Sequence, residues 1–194
     1  MGGTDADRVR ALLYEGAQAL DKASALAQDV ARAADMIIAA LRDGHKLLLF
    51  GNGGSAADCQ HIAGEMVGRF KLERPGLAAI ALTTDTSILT AVANDYGFDT
   101  VFARQIEALG RAGDVALALS TSGNAPNVLA GVSKCRELGI ATIGLTGRDG
   151  GQLAGFVDLC LRVPHDSTPI IQQVHIAIGH AICELVESAL GAGV

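Results

Sequence analysis

The chain has 194 residues and a formal net charge of −6, and 49% of its residues are hydrophobic although only 4% are aromatic. This length fits one domain, and a core of Ala, Leu, Ile and Val suits buried parallel strands and helices. Lys and Arg form no cluster, which excludes the basic footprint of a nucleic-acid-binding protein. No apolar run reaches the roughly 18 residues of a membrane-spanning helix.

The cysteines and the start of the chain bear on the compartment. The four cysteines form no C-x-x-C pair, so the sequence predicts neither a zinc knuckle nor a disulfide framework. The opening MGGTDADRVR lacks a basic segment followed by an apolar one, and it is therefore not predicted to be a signal peptide. We expect a reducing, cytoplasmic compartment, with no nucleic-acid or membrane partner.

Residues 5 to about 43 are predicted to form one or two helices, because apolar side chains recur at steps of three and four residues. Gly44 follows as a helix stop. The segment contains no strand pattern, so we expect residues 1–43 to be a helical extension and residues 44–194 to be the main domain. The apolar stripe of the extension needs a partner surface, which is either its own domain or another subunit.

Five short apolar runs alternate with helical patterns from residue 46 onward. They occupy residues 46–50, 77–82, 114–120, 140–146 and 157–163. The spacing leaves room for crossover helices, which predicts an α/β fold with a five-stranded parallel sheet flanked by helices. A last helix is predicted from about residue 168 to 190.

Two glycine- and hydroxyl-rich turns follow the first and third predicted strands, GNGGSA at 51–56 and STSGNAPN at 120–127. In open parallel sheets, ligands bind beyond the carboxyl ends of the strands. Glycine lets backbone amides approach an anion, and hydroxyls and helix N-termini add donors, so the pair predicts a phosphate monoester site. Two alternatives stay open: plain βα turns, or a dinucleotide site that uses Asp85.

Ionisable side chains cluster on two predicted helices. His61 and Glu65 are four residues apart and share one helix face, which suits two metal ligands, an acid–base pair or a surface contact. The last helix carries Gln172, His175 and His180 in an apolar setting. The two histidines there are five apart and point in different directions, so one can be a core residue while the other reaches a cleft.

These groups would make a set of nitrogen and oxygen ligands suited to Zn²⁺ or a similar divalent ion. Gln172 is eight residues from His180, about 12 Å along a straight helix. That distance is long for one shared metal, unless the helix bends or Gln172 reaches back from its start.

Four stretches together resemble the phosphoheptose isomerase family of sugar isomerase (SIS) domain enzymes: FGNGGSAADCQHIAGEMVGRF, AVANDYGFDTVFARQIEALG, LSTSGNAPNV and IIQQVHIAIGHAICELVE. The resemblance implies an SIS-type doubly wound fold, with the extension 1–43 packing in the oligomer before an SIS domain at 44–194. It also implies a cytoplasmic homotetramer with active sites at subunit interfaces. The implied reaction is an aldose–ketose isomerisation of carbohydrate metabolism. It converts sedoheptulose 7-phosphate to D-glycero-D-manno-heptose 7-phosphate through an enediol(ate), for lipopolysaccharide or capsule heptose.

The resemblance also implies roles for residues at matching motif positions. The catalytic pair would be Glu65 and His180. One zinc ion per subunit would be held by His61, Glu65, Gln172 and His180. Substrate would contact Gly53, Gly54, Ser55, Asn94, Asp95, Ser120, Thr121, Ser122 and Gln172, with Arg69 as a further candidate. A carboxylate held by a metal is a poorer base, so the sequence leaves open whether the metal is a Lewis acid or a structural clamp.

Two positions depart from the family pattern. Ala125 stands where members often have Ser, and Pro169 stands where an acidic residue can occur. Two alternative functions remain at this stage. One is a non-catalytic SIS module that senses a sugar phosphate or binds a partner, similar to the DnaA-initiator-associating protein. The other is an SIS isomerase acting on a hexose or pentose phosphate.

Overall fold

A five-stranded parallel sheet lies at the centre of the protein. The structure is a computed structural model that describes residues 4–191, so residues 1–3 and 192–194 of the predicted extension and domain lie outside it. The strands are β1 (Leu47–Gly51), β2 (Ala79–Ala81), β3 (Val115–Ser120), β4 (Ala141–Gly147) and β5 (Leu159–Val163). The helices are α1 (Asp5–Ala23), α2 (Ala27–Arg42), α3 (Gly54–Val67), α4 (Thr86–Tyr96), α5 (Val101–Leu109), α6 (Pro126–Glu137) and α7 (Thr168–Leu190).

The strand order is β2-β1-β3-β4-β5, with every pair parallel. β1 and β3 are buried along their whole length, as their runs of Leu and Ala predict. From β1 the chain goes to one side for β2 and to the other side for β3, so the direction of winding reverses between these two central strands. The two glycine-rich loops therefore meet at the topological switch point, where doubly wound sheets bind ligands.

Helices cover both faces of the sheet, and each face has its own apolar core. On one face α2, α3 and α7 pack against alternate residues of the strands, with Ile37, Ile62 and Val174 fully buried. On the other face α5 and α6 do so, with Phe102 and Val132 among the buried residues. This arrangement confirms the predicted α/β sheet flanked by helices.

The N-terminal segment divides into two helices at a short 3₁₀ turn, Ser24–Leu26. α2 buries a full face against the sheet and α7, so its apolar stripe is covered by its own domain. In α1 the structure buries only Gly16 and Ala19. Its exposed apolar side chains are Val9, Leu12, Leu13, Tyr14 and Leu20. The division between residues 43 and 44 stays a prediction.

The last helix, α7, is the one element within residues 4–191 that is long and apolar enough to cross a membrane by length and composition. Half of the relevant 18-residue window is buried inside the protein. α7 packs against α1, α2 and α3 and against the ends of β4 and β5. It is a core helix of the domain.

Candidate active site

A cleft of about 290 Å³ opens between the loops after β1 and β3 and the start of α7. Its lining residues are Asn52, Gly53, Gly54, Ser55, Leu119, Ser120, Thr121, Ser122, Ala125, Thr168 and Gln172. None of these described residues carries a charged side chain. Helices α3, α6 and α7 all begin beside the cleft. The N-terminus of a helix attracts anions through its free N–H groups and its dipole.

The loop after β1 uses its glycines for two different purposes. Gly53 adopts a φ of 54°, a left-handed conformation that side chains disfavour. Gly54 lies against the side chain of Gln172, whose amide atoms would be 2.6–2.8 Å from a Cβ at that position. The absence of a side chain at position 54 therefore lets Gln172 lie across the loop and line the cleft.

The loop after β3 is held by backbone contacts to the segment that follows β4. Gly123 has a φ of 65°, and a Cβ there would lie 1.9 Å from the carbonyl oxygen of Gly150. The Leu153 amide donates to the Gly123 carbonyl at 2.9 Å. The side-chain amides of Asn52 and Asn127 exchange two hydrogen bonds of 2.8 Å and so join the two loops. The cleft is thus built from fixed backbone and short polar groups.

Three ionisable side chains converge where α3 passes α7. His61 Nε2 lies 2.9 Å from His180 Nε2 and 3.3 Å from Glu65 Oε1. One nitrogen or oxygen atom from each of the three residues lies within 4.8 Å of the others. Close approach of the helices is possible because Gly179 has no side chain, and a Cβ there would lie 2.7 Å from Ile62. The expected convergence of an early helix and the last helix is confirmed.

The chemistry of these donors fits a divalent metal ion. Two imidazole nitrogens and one carboxylate oxygen form the three-ligand set typical of sites that leave a further position for water or substrate. His61 has 50% of its side-chain surface exposed and Glu65 has 25%, so the cluster is reachable from solvent. Phe70 packs beside the His180 ring at a centroid distance of 5.6 Å and covers it from one side.

Asp58 is a polar group of this site that motif matching missed. Its Oδ2 is buried without a hydrogen-bond partner within residues 4–191. Burial raises the pKa of this carboxyl, and the charges of His61 and His180 partly oppose the rise. The sequence feature that could have identified Asp58 is its position three residues before His61, which places both side chains on one side of α3.

His175 is the core histidine of the two on α7. It is fully buried, and its Nε2 lies 3.1 Å from the carbonyl oxygen of Thr146 at the end of β4. Burial lowers its pKa to about 4, so the ring is neutral at physiological pH. The ring therefore donates to the Thr146 carbonyl and links α7 to the sheet. Of the two histidines on α7, only His180 belongs to the cluster with His61 and Glu65.

Three predicted substrate contacts are not brought to the cleft within one chain. Asn94 and Asp95 lie exposed at the end of α4, where the Asn94 amide donates to Asp95 at 2.8 Å. Arg69 is also exposed, and its Nε lies 3.8 Å from Glu73 Oε2. These three assignments stay predictions, as do the roles of the residues that line the cleft.

Comparison with known proteins places these features in a family. The family model for the SIS domain matches residues 14–147. A phosphoheptose isomerase of Bradyrhizobium sp. (strain ORS 278) is 60% identical over 166 residues, which cover 86% of this chain and 84% of that protein. The structure of the phosphoheptose isomerase from Neisseria gonorrhoeae matches with a TM-score of 0.91 at 47% identity, over 95% of this chain and 100% of that one. The structure of a phosphoheptose isomerase from Francisella tularensis matches with a TM-score of 0.93 at 37% identity, over 96% of this chain and 100% of that one.

Proposed function

We propose that this chain, which belongs to the phosphoheptose isomerases of the SIS-domain family, converts sedoheptulose 7-phosphate to D-glycero-D-manno-heptose 7-phosphate through an enediolate. The observation that carries the proposal is that two helices connect the two parts of the site. α3 begins at the neutral cleft and carries His61 and Glu65, while α7 begins at Thr168 beside the cleft and carries first Gln172 and then His180. His61 lies seven residues after Gly54 on α3, about 10 Å along the helix. An open-chain sugar phosphate is long enough to span that distance.

The cleft is suited to the phosphate end of the substrate. Backbone N–H groups and the hydroxyls of Ser55, Ser120, Thr121 and Ser122 can donate to a phosphate, and three helix N-termini favour its charge. Holding this remote end fixes where the carbonyl carbons lie, so binding energy is used for positioning.

The cluster is suited to the carbonyl end. Conversion of the ketose requires that a proton leave C1 and that one be added at C2, while a hydroxyl proton passes between the oxygens of C2 and C1. Glu65 would take the C1 proton and return it at C2. The His180 imidazole would exchange the hydroxyl proton. No net proton is gained or lost over the cycle.

The same cluster is suited to hold one Zn²⁺ or similar ion per subunit. His61, Glu65 and His180 would be ligands, with the Gln172 amide oxygen as the fourth candidate. When bound, such an ion would supply Lewis acidity that stabilises negative charge on the sugar oxygens. Asp58 adds a carboxylate whose interaction with both imidazoles is electrostatic.

The surface supports assembly into a homotetramer with active sites at subunit interfaces. α1 exposes an apolar face, and an apolar groove of about 470 Å³ lies between the α1–α2 junction and α7. The half-exposed cluster leaves room for groups from a neighbouring subunit, such as Asn94 and Asp95. All four cysteines are free, which fits the cytoplasm. The product would serve lipopolysaccharide or capsule heptose.

The direct test is incubation of the metal-loaded protein with sedoheptulose 7-phosphate and detection of the aldose product. We expect turnover of the heptose and little or none of fructose 6-phosphate or arabinose 5-phosphate. Binding of the heptose without turnover would instead favour a non-catalytic sensor or partner-binding protein. Preferred turnover of a shorter sugar would assign another isomerase activity.

A further inference from the structure

We propose that the buried pair of Arg74 and Glu187 is a positioning device that holds Glu65 and His180 at reacting distance. This inference rests on the proposed function, because it assigns those two residues to the reaction. The two partners are 113 residues apart in the sequence, and neither lines the cleft. They are buried, at 7% and 2% of their possible exposure.

Glu187 accepts four hydrogen bonds, three of which come from one short backbone segment. The amides of Phe70, Lys71 and Leu72 donate to its carboxylate at 2.8, 2.6 and 2.8 Å. The fourth donor is Arg74 Nε at 3.1 Å. Burial would raise the pKa of this carboxyl, but the three backbone donors and the charge of Arg74 together outweigh that effect and hold the pKa below its ordinary value. A charged carboxylate on α7 therefore fixes the position of the segment that follows α3.

Arg74 completes the end of α3. Its Nη2 donates to the carbonyl of Glu65 at 2.7 Å, and its Nη1 donates to the carbonyls of Met66 and Gly68 at 2.9 and 3.2 Å. The last carbonyls of a helix have no partner within the helix, and here a buried guanidinium supplies it. One of those carbonyls belongs to Glu65 itself. The position of the Glu65 backbone is therefore set by an arginine that is bound to α7.

The pair thus connects the backbone of one reacting residue to the helix of the other. Glu187 lies seven residues after His180, two turns further along α7. It also anchors Phe70, whose ring packs beside the His180 imidazole. A shift of α3 against α7 would separate His61 and Glu65 from His180, and the pair resists that shift from the end of the site opposite the phosphate cleft.

A second ion pair links the same two segments and provides a matched control. Lys71 Nζ and Glu184 form a salt bridge, but their side chains are 62% and 45% exposed. Exposed pairs of this kind contribute little, and this one contacts none of the α3 carbonyls. If the pair of Arg74 and Glu187 acted only by joining α7 to this segment, loss of the exposed pair would produce a similar, smaller effect on the reaction.

The test uses Glu187→Gln and Arg74→Lys, with Glu184→Gln as the control, all measured at one temperature about 20 °C below the lowest of their unfolding temperatures. For both variants we expect kcat for sedoheptulose 7-phosphate to fall on the order of 10- to 100-fold, because small misplacements of reacting groups have effects of that size. We expect KM to change less than about threefold, because the phosphate cleft lies at the other end of both helices. The control should retain the kcat of the unmodified protein.

Zn²⁺ affinity, measured by competition with a chelator, gives a readout that does not depend on turnover. We expect both variants to bind Zn²⁺ about tenfold more weakly than the unmodified protein, as for other residues that orient ligands. Unchanged kcat and Zn²⁺ affinity in the folded variants would overturn the proposal. Loss of folding in both variants would also overturn it, since the pair would then hold the whole fold. If the unmodified protein fails to isomerise the heptose, the proposed function fails, but the Zn²⁺ comparison still tests the positioning.

Discussion

The two ends of the site are built by opposite means. At the proposed phosphate end, the lining residues are neutral, and the available donors are backbone amides and hydroxyls at the carboxyl ends of β1 and β3. At the reacting end, two imidazoles and a carboxylate lie within 4.8 Å of one another on two helices. The first end is set by the sheet, whereas the second depends on how closely α3 packs against α7.

This difference separates binding from reactivity. A phosphate can be held by a preformed backbone cradle that does not titrate, so affinity for the substrate should depend little on helix packing. Proton transfer requires groups that titrate and that lie within hydrogen-bond reach of the substrate, so the rate should depend on that packing strongly. Changes at the two ends should therefore affect different kinetic constants.

The largest contrast is expected between Glu65→Gln and Ser120→Ala. Glu65→Gln removes the proposed base and should lower kcat about 10³-fold with little change in KM. Ser120→Ala removes one hydroxyl from the phosphate end and should raise KM about tenfold with little change in kcat. Steady-state kinetics with sedoheptulose 7-phosphate measure both constants. An equal loss of kcat in the two variants would contradict the assignment of binding to one end of the site and of proton transfer to the other.

The support of α7 on the sheet should depend on pH through His175. Its pKa is lowered to about 4 in the folded protein from an ordinary 6.5, so between these values the unfolded chain binds more protons. Its contribution to stability is therefore fully present above pH 6.5 and is lost as the pH falls toward 4. The loss should be roughly 3 kcal/mol in the free energy of unfolding.

Urea unfolding of the protein and of His175→Gln at pH 7 and pH 4 isolates this effect. Gln keeps a donor for the Thr146 carbonyl but does not titrate, so its loss of stability between the two pH values should be smaller by that amount. An identical loss in both proteins would show that His175 is not the group responsible.

The smallest expected effect is a gain at the phosphate end. Ala125 occupies the N-cap position of α6, has no side-chain capping bond and lines the cleft. Ala125→Ser should cap the helix and raise the free energy of unfolding by about 1 kcal/mol. The added hydroxyl should also lower KM a few-fold. Thermal unfolding and KM measurements check both effects, with Ala125→Cys as a control of similar size and poor hydrogen bonding.

Much of the fold followed from local patterns. The five apolar runs predicted five parallel strands, which the structure confirms. The glycine-rich turns after two of them predicted a ligand site, and ligand binding there stays a prediction. β2 covers only Ala79–Ala81 of the predicted 77–82, because it is an edge strand paired on one side to β1. The four-residue spacing of His61 and Glu65 predicted that they share one face of a helix. That His180 on the last helix joins them at one metal site was implied by the resemblance to a family.

Groups that act through tertiary packing were not visible in the sequence. Arg74 lies in a loop that has no helical or strand period, and Glu187 resembles any charged residue near a helix end. Only the packed structure reveals that the two are buried together and that Arg74 also donates to carbonyls at the end of α3. Asp58 is similar, because its importance comes from burial beside two imidazoles and not from a motif.

The close contact between Gly123 and the Gly150 carbonyl limits which residues can occupy position 123. Any side chain at that position would overlap the Gly150 carbonyl at 1.9 Å, whereas a Cβ at Gly53, which also has a positive φ, would meet no atom within 4 Å. In a library randomised at both codons and selected for growth that requires the enzyme to make its product, position 123 should return glycine alone. Position 53 should also favour glycine, but for its backbone alone, because φ 54° with ψ −122° lies outside the αL region that asparagine tolerates.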